Sequence, residues 1–118
     1  MPDAARDELP LEVSPTEAAR LLAPGGSPPA ILLDCRTPEE HATARIDGAV
    51  LIPMQEIATR VGELDAWRTE TIVVHCHHGG RSMRAVMGLR QLGYAGAQNM
   101  AGGIDQWSEQ IDPQVPRY

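Results

Sequence analysis

The stretch Thr71-Ile72-Val73-Val74-His75-Cys76-His77-His78-Gly79-Gly80-Arg81-Ser82 gathers most of the residues able to do chemistry. It reads as a β-branched apolar run, a cysteine where the run stops, a glycine-containing loop, and a helix opening near Arg81-Ser82. In open α/β sheets ligands collect at the carboxyl ends of strands, where helix N-termini offer unpaired amides and a positive dipole. A thiol with an ordinary pKa of about 8.5 falls to about 3.5–7.5 in such surroundings or beside a cation. Gly79 and Gly80 allow the backbone to curl so that several amides face one anion, and Arg81 adds a fixed charge. The chemistry indicated is nucleophilic attack by Cys76. One blander reading makes Cys76 an inert buried thiol. Another makes His75, Cys76, His77 and His78 a metal group, but adjacent residues rarely converge on one ion and no second Cys or His cluster stands at finger spacing. Neither a metal nor an organic cofactor is therefore expected.

Such a loop needs a strand before it, a helix after it and neighbours on both sides. Ile31–Leu33, ending at Asp34, and Val50–Ile52 are apolar runs like Thr71–His75, short enough for strands buried on both faces. Leu11–Val13 and Ala97–Asn99 are briefer candidates. Ser14-Pro15 with Glu17 has the cap, first-turn proline and acid of a helix reaching Leu22, and Thr37-Pro38-Glu39-Glu40 repeats the pattern. Met54–Val61 has apolar residues at helical spacing, as does Ser82–Leu92, with Gly93 as its stop. A Gly102-Gly103 turn precedes a last helix, Ile104 to about Gln110. The alternation predicts an α/β fold of three layers, a mainly parallel sheet of about five strands with helices on both faces. The loop-rich stretch Ala23–Pro29 joins two elements of one domain.

The chain has 118 residues, enough for one domain, with a core over about 10–110. Ten cations against sixteen acids give a net charge of −6, so nucleic-acid phosphate and anionic lipid are disfavoured as partners. All ten cations are arginine, which removes lysine Schiff-base chemistry and leaves arginine, protonated histidine or backbone amides to meet an anion. Met1–Pro10 is acidic and polar and no membrane-length apolar run occurs, so the expected setting is a soluble, cytoplasmic monomer with reduced thiols.

At these residues the sequence resembles the rhodanese-like sulfurtransferases. Asp34-Cys35-Arg36 with Pro38-Glu39-Glu40 is similar to that family's acid-x-Arg motif, and Arg45-Ile46-Asp47-Gly48-Ala49 to its His-Ile-Pro-Gly-Ala segment. Cys76–Ser82 is similar to the active loop, and Gly102-Gly103 with Trp107 to the closing signature. The resemblance implies that Cys76 attacks a small anionic sulfur donor such as thiosulfate, carries the sulfur as a persulfide, and passes it to cyanide, a thiol or a sulfur-carrier protein. By the same resemblance His77, His78, Gly79, Gly80, Arg81 and Ser82 form the persulfide and substrate cradle, with Arg81 on the donor's anionic end. Asp34 and Arg36 form an ion pair behind it. The tail Asp112–Tyr118 resembles the ending of rhodanese domains attached to activating enzymes for ubiquitin-like proteins, a pointer to a protein acceptor.

Four residues separate Cys76 from Arg81. Phosphatases and arsenate reductases of this fold have one more, a wider cradle for a tetrahedral oxyanion, so they are the lesser alternatives. A non-catalytic binding or sensing module is the other, and it has no chemical need for Cys76, Gly79, Gly80 and Arg81. Cys35, His41, Arg45 and Asp47 depart from the usual family residues. Cys35 is expected to point into the core; whether it takes Cys76 into a disulfide, which needs Cα atoms within about 7 Å, stays open.

Overall fold

The strand that carries the loop lies at the centre of the sheet. The computed structural model describes residues 9–25 and 29–118. The expected loop Ala23–Pro29 and the polar N-terminus Met1–Pro10 therefore fall partly outside the described residues. Five strands, β1 (Glu12–Val13), β2 (Ala30–Asp34), β3 (Val50–Leu51), β4 (Thr71–His75) and β5 (Ala97–Met100), form one sheet in the order β1-β5-β4-β2-β3. Every pairing is parallel. The helices are α1 (Pro15–Leu22), α2 (Pro38–Thr43), α3 (Ile57–Arg60), α4 (Gly80–Gln91) and α5 (Gly103–Gln110).

Side chains alternate across β4 and meet a different helical layer on each face. Ile72 and Val74 join Ile57, Leu64, Ala85, Val86 and Leu89 in one buried cluster, from α3, α4 and the segment between α3 and β4. Val73 joins Ala18, Ile104 and Trp107 in the other, with α1 and α5. Ile72, Val73 and Val74 are fully buried, each burial worth about 1.5–3 kcal/mol relative to exposure. That burial fixes where β4 ends, and hence where Cys76 sits.

The local signals for α1 and α2 act as the sequence reading expects. Ser14 Oγ accepts from the Glu17 amide and Thr37 Oγ1 from the Glu40 amide, the latter closing a full capping box. Three expectations need correction. Met54–Val61 is no continuous helix: α3 is a single turn flanked by 3-10 segments, Met54–Glu56 and Val61–Trp67. Pro53 before it and Gly62 after it are the residues least able to extend a helix. The Val50 run is shorter than expected and is an edge strand with Val50 37% exposed, not a strand buried on both faces. The helix after the loop begins at Gly80, two residues before the expected Ser82, because Gly79 takes a left-handed φ of 113° and acts as its cap. No helix among the described residues is long and apolar enough to cross a membrane.

Candidate active site

Cys76 follows the last residue of β4, and its side chain remains in the buried cluster under α4. The Gly79 amide donates to Cys76 Sγ at 3.0 Å, and the Ser82 hydroxyl lies 3.4 Å from it. The amides of Ser82 and His78 also face the sulfur. Burial alone would raise the thiol pKa, but these donors together hold Cys76 below its ordinary value.

The inward aim of the loop amides has a structural cause in the Gly102-Gly103 turn. The Ile104 amide donates to the Cys76 carbonyl at 2.9 Å and the Asp105 amide to the His77 carbonyl at 3.2 Å. With these carbonyls tied outward to the first turn of α5, the neighbouring N–H groups are left to converge on the sulfur. Gly103, at φ +60°, lies so close that a Cβ there would stand 2.5 Å from both carbonyl oxygens. The glycine pair read from the sequence as a turn therefore also holds the loop.

Ser82 does more than supply an amide. Its Oγ lies between Cys76 Sγ, the Gly79 carbonyl at 3.2 Å and Asn99 Oδ1. A hydroxyl has one proton, so Ser82 can donate to only one of the three at a time. Asn99, from β5, is steered in turn by its Nδ2 donating to Glu12 at 2.8 Å. Asn99 has no motif of its own and the sequence reading misses it.

Arg81 is held by a carboxylate. Its guanidinium makes a two-pronged pair with Glu40, at 2.7 and 2.9 Å, with 39% of its side chain exposed. Glu40 also accepts from the Tyr118 hydroxyl at 2.6 Å, and the Arg36 Nη1 donates to that hydroxyl at 2.9 Å. The Tyr118 ring stacks on His77 with centroids 3.9 Å apart, and His77 stacks on exposed His78 at the same spacing. The tail residue thus lies against the loop, joining Arg36, Glu40 and His77.

Asp34 and Arg36 form a fully buried ion pair, Nη2 to Oδ2 at 2.8 Å and Nε to Oδ1 at 2.9 Å. Arg36 also donates to the Ala44 carbonyl at 2.6 Å, and His41 Nδ1 lies 2.9 Å from Asp34 Oδ2. The pair thereby fixes the segment after β2, which carries Glu40. His75, fully buried beside it, places Nε2 4.0 Å from Asp34 Oδ2.

Burial pushes the His75 pKa down to about 4 against the opposing pull of Asp34. An unfolded histidine titrates near 6.5, so between these values the unfolded chain binds a proton that the folded chain refuses. Stability is therefore expected to fall as pH drops from about 6.5 to about 4. Urea midpoints across that window check this, and His75→Asn should flatten the slope; an unchanged slope contradicts it. Asp34 contributes below this window: burial raises its pKa, but Arg36, His75 and His41 together keep it under 3.8, so its stabilisation is lost only in stronger acid.

His77, His78 and Asp105 present ligand atoms within 4.8 Å of one another, whereas His75 and Cys76 do not join that group. Arg117 already occupies both Asp105 oxygens, at 2.9 and 3.2 Å. A groove of about 670 Å³, lined by Ala19, Leu22, Ile46 and Trp107 among others, shares no residue with the loop.

Residues 14–110 match the family described as rhodanese-like domain. A sulfurtransferase of Allochromatium vinosum is 37% identical over 78 residues, covering 66% of this chain and 71% of that protein. An adenylyltransferase and sulfurtransferase of Ogataea parapolymorpha is 33% identical over 87 residues, 74% of this chain; the chain spans only 22% of that relative. Among solved structures, a human single-domain sulfurtransferase superposes with a TM-score of 0.71 at 33% identity, covering 85% of this chain and 96% of that one. The superposition agrees with the parallel five-stranded sheet. The chain belongs to the rhodanese-like domain family.

Proposed function

We propose that the protein moves sulfane sulfur from a small anionic donor such as thiosulfate to a thiophilic acceptor through a persulfide on Cys76. The observation that carries this reading is the convergence of the Gly79 amide and the Ser82 side chain on a thiol held below its ordinary pKa. The Cys76 thiolate attacks the outer sulfur of thiosulfate, the sulfur–sulfur bond of the donor breaks, and sulfite leaves with the bonding pair. The negative charge then rests on the outer persulfide sulfur, where the amides of His77 to Ser82 stabilise it as fixed dipoles. Cyanide, a thiol or the thiolate of a sulfur-carrier protein next takes that sulfur and regenerates Cys76. A family loop one residue shorter than a phosphatase cradle suits one sulfur better than a tetrahedral oxyanion.

In this reading Arg81 attracts the donor's sulfonate end from its position against Glu40. The Glu40 carboxylate, held far below its usual pKa chiefly by Arg81, offsets part of that charge, so the arginine steers the donor instead of clamping it. Arg81→Ala is expected to raise KM for thiosulfate several-fold and to change KM little for an uncharged sulfane donor. Equal changes for both donors contradict the role. His77 and His78 flank the entry, with His77 stacked on Tyr118, and line the route by which donor and acceptor reach the loop.

Turnover of thiosulfate with cyanide, read as thiocyanate, tests the reaction. Steady-state kinetics with a double-displacement pattern support it, and a requirement for both substrates bound together contradicts it. The protein acts in this proposal as a cytoplasmic monomer with no metal or organic cofactor. A sulfur-carrier protein is the favoured macromolecular acceptor, since relatives combining adenylyltransferase and sulfurtransferase are among those matched.

A further inference from the structure

Cys35 stands beside Cys76 at the end of the two central strands. The β2–β4 ladder ends with Asp34 opposite His75, and the Cys35 amide continues it by donating to the His75 carbonyl at 3.1 Å. The next residue on each strand is a cysteine. Paired strands run about 4.8 Å apart, inside the Cα separation of about 4.4–6.8 Å that a disulfide spans. Both side chains also emerge on the same face: Leu33 and Val74, two residues earlier, lie with Cys35 and Cys76 in one buried cluster. Both thiols are free, each only 1% exposed.

We propose that Cys35 is the resolving residue of a second, sulfide-releasing reaction, attacking Cys76 Sγ in the persulfide and closing a Cys35–Cys76 disulfide. The proposal rests on the persulfide reading above. The Cys35 sulfur bonds to Cys76 Sγ, the bond between Cys76 Sγ and the outer sulfur breaks, and that sulfur leaves as hydrosulfide, taking the Cys35 proton. The sulfane sulfur is reduced to sulfide while the two cysteines are oxidised to a disulfide, so no outside oxidant is needed. An external thiol then reduces the disulfide by exchange and returns the protein to its starting state.

The environment of Cys35 sets the order of events. Burial, then the neighbouring charges of Cys76 and Asp34, push its pKa up to about 12, with Arg81 opposing. Cys35 thus stays protonated while Cys76 meets the donor, and Cys76 alone is loaded. Resolution is slower than transfer to a ready acceptor, because little Cys35 thiolate is present. Sulfide is released when no acceptor arrives.

The test follows the reduced protein after one equivalent of thiosulfate, without oxygen or acceptor. Timed samples are quenched with acid and a maleimide, then read by intact mass, peptide mapping and sulfide assay. The expected course is a gain of one sulfur, then a species short of two hydrogens that takes up no maleimide, with release of stoichiometric sulfide and a mapped Cys35–Cys76 crosslink. Cys35→Ser and Cys35→Val, the latter suited to the apolar surroundings, should load as fully but hold the persulfide several-fold longer and release no sulfide. Equal persulfide lifetimes in parent and variants overturn this proposal alone. Failure of all three proteins to load overturns the persulfide reading and this proposal with it.

Discussion

Cys76→Ser is expected to reduce thiocyanate formation by at least about a thousand-fold, within the loss of up to about a million-fold that follows removal of a covalent nucleophile. The hydroxyl is not ionised near neutral pH and cannot carry sulfane sulfur as a stable intermediate, so the loop loses the atom it is built around. The substitution is nearly isosteric, and the amides of Gly79 and Ser82 remain as donors to an oxygen in place of the sulfur. Stability should therefore change little, and the urea midpoint separates lost chemistry from lost fold. Activity within tenfold of the parent, with the fold intact, contradicts the nucleophile role.

The second large effect falls on stability. Arg36 and Asp34 are both fully buried, and Arg36→Met leaves the Asp34 carboxylate without its two-pronged partner. Breaking a buried pair from one side costs about 3–5 kcal/mol, because the remaining charge is stranded away from water. A domain of this size has about 5–15 kcal/mol in all, so the variant should unfold at a much lower urea concentration. Arg36→Met combined with Asp34→Leu should recover part of the loss, since no uncompensated charge remains. Recovery stays partial because the Ala44 carbonyl and His41 also lose their partners. A single variant within about 1 kcal/mol of the parent contradicts the account of the pair.

The parts of this architecture legible in the sequence are those written locally. The run Thr71–His75 marks β4 to the residue, since the β-branched apolar centre Ile72–Val74 is flanked by Thr71 and His75 and all five positions are buried. Ser14 and Thr37 announce α1 and α2 because a cap acts only three residues away. Gly79 and Gly80 mark the turn into α4, although the sequence does not show that Gly79 closes the loop by donating to the sulfur. The contacts that tune the loop come from far along the chain. Glu40 reaches Arg81 across 41 positions and Tyr118 reaches Glu40 across 78, and neither pairing leaves a local trace. Arg81 read alone is a free cation; in the fold it is paired with Glu40, which offsets part of its charge. Asn99 is equally silent, an amide in a short strand whose Oδ1 meets Ser82 only because β5 lies beside β4.

Cys35 shows how a local rule and the topology combine. Alternation along β2 places it in the core, and that much follows from the sequence. Its neighbour on the next strand does not, because the order β4-β2 and its register are set by the packing of two helical layers. The pairing of Asp34 with His75 that puts the two cysteines side by side also puts the buried ion pair beside His75. One register therefore sets the neighbour of Cys76 on one face and the expected acid sensitivity of the fold on the other.

The most direct test of the central claim is the intact mass of the reduced protein before and soon after addition of thiosulfate, then after cyanide, with Cys76→Ser in parallel. The account predicts a gain of one sulfur in the parent, its localisation to Cys76, its removal by cyanide as thiocyanate, and no gain in the variant. Sulfur loading that persists in Cys76→Ser, or thiocyanate turnover without any sulfur-bearing protein, contradicts the persulfide mechanism.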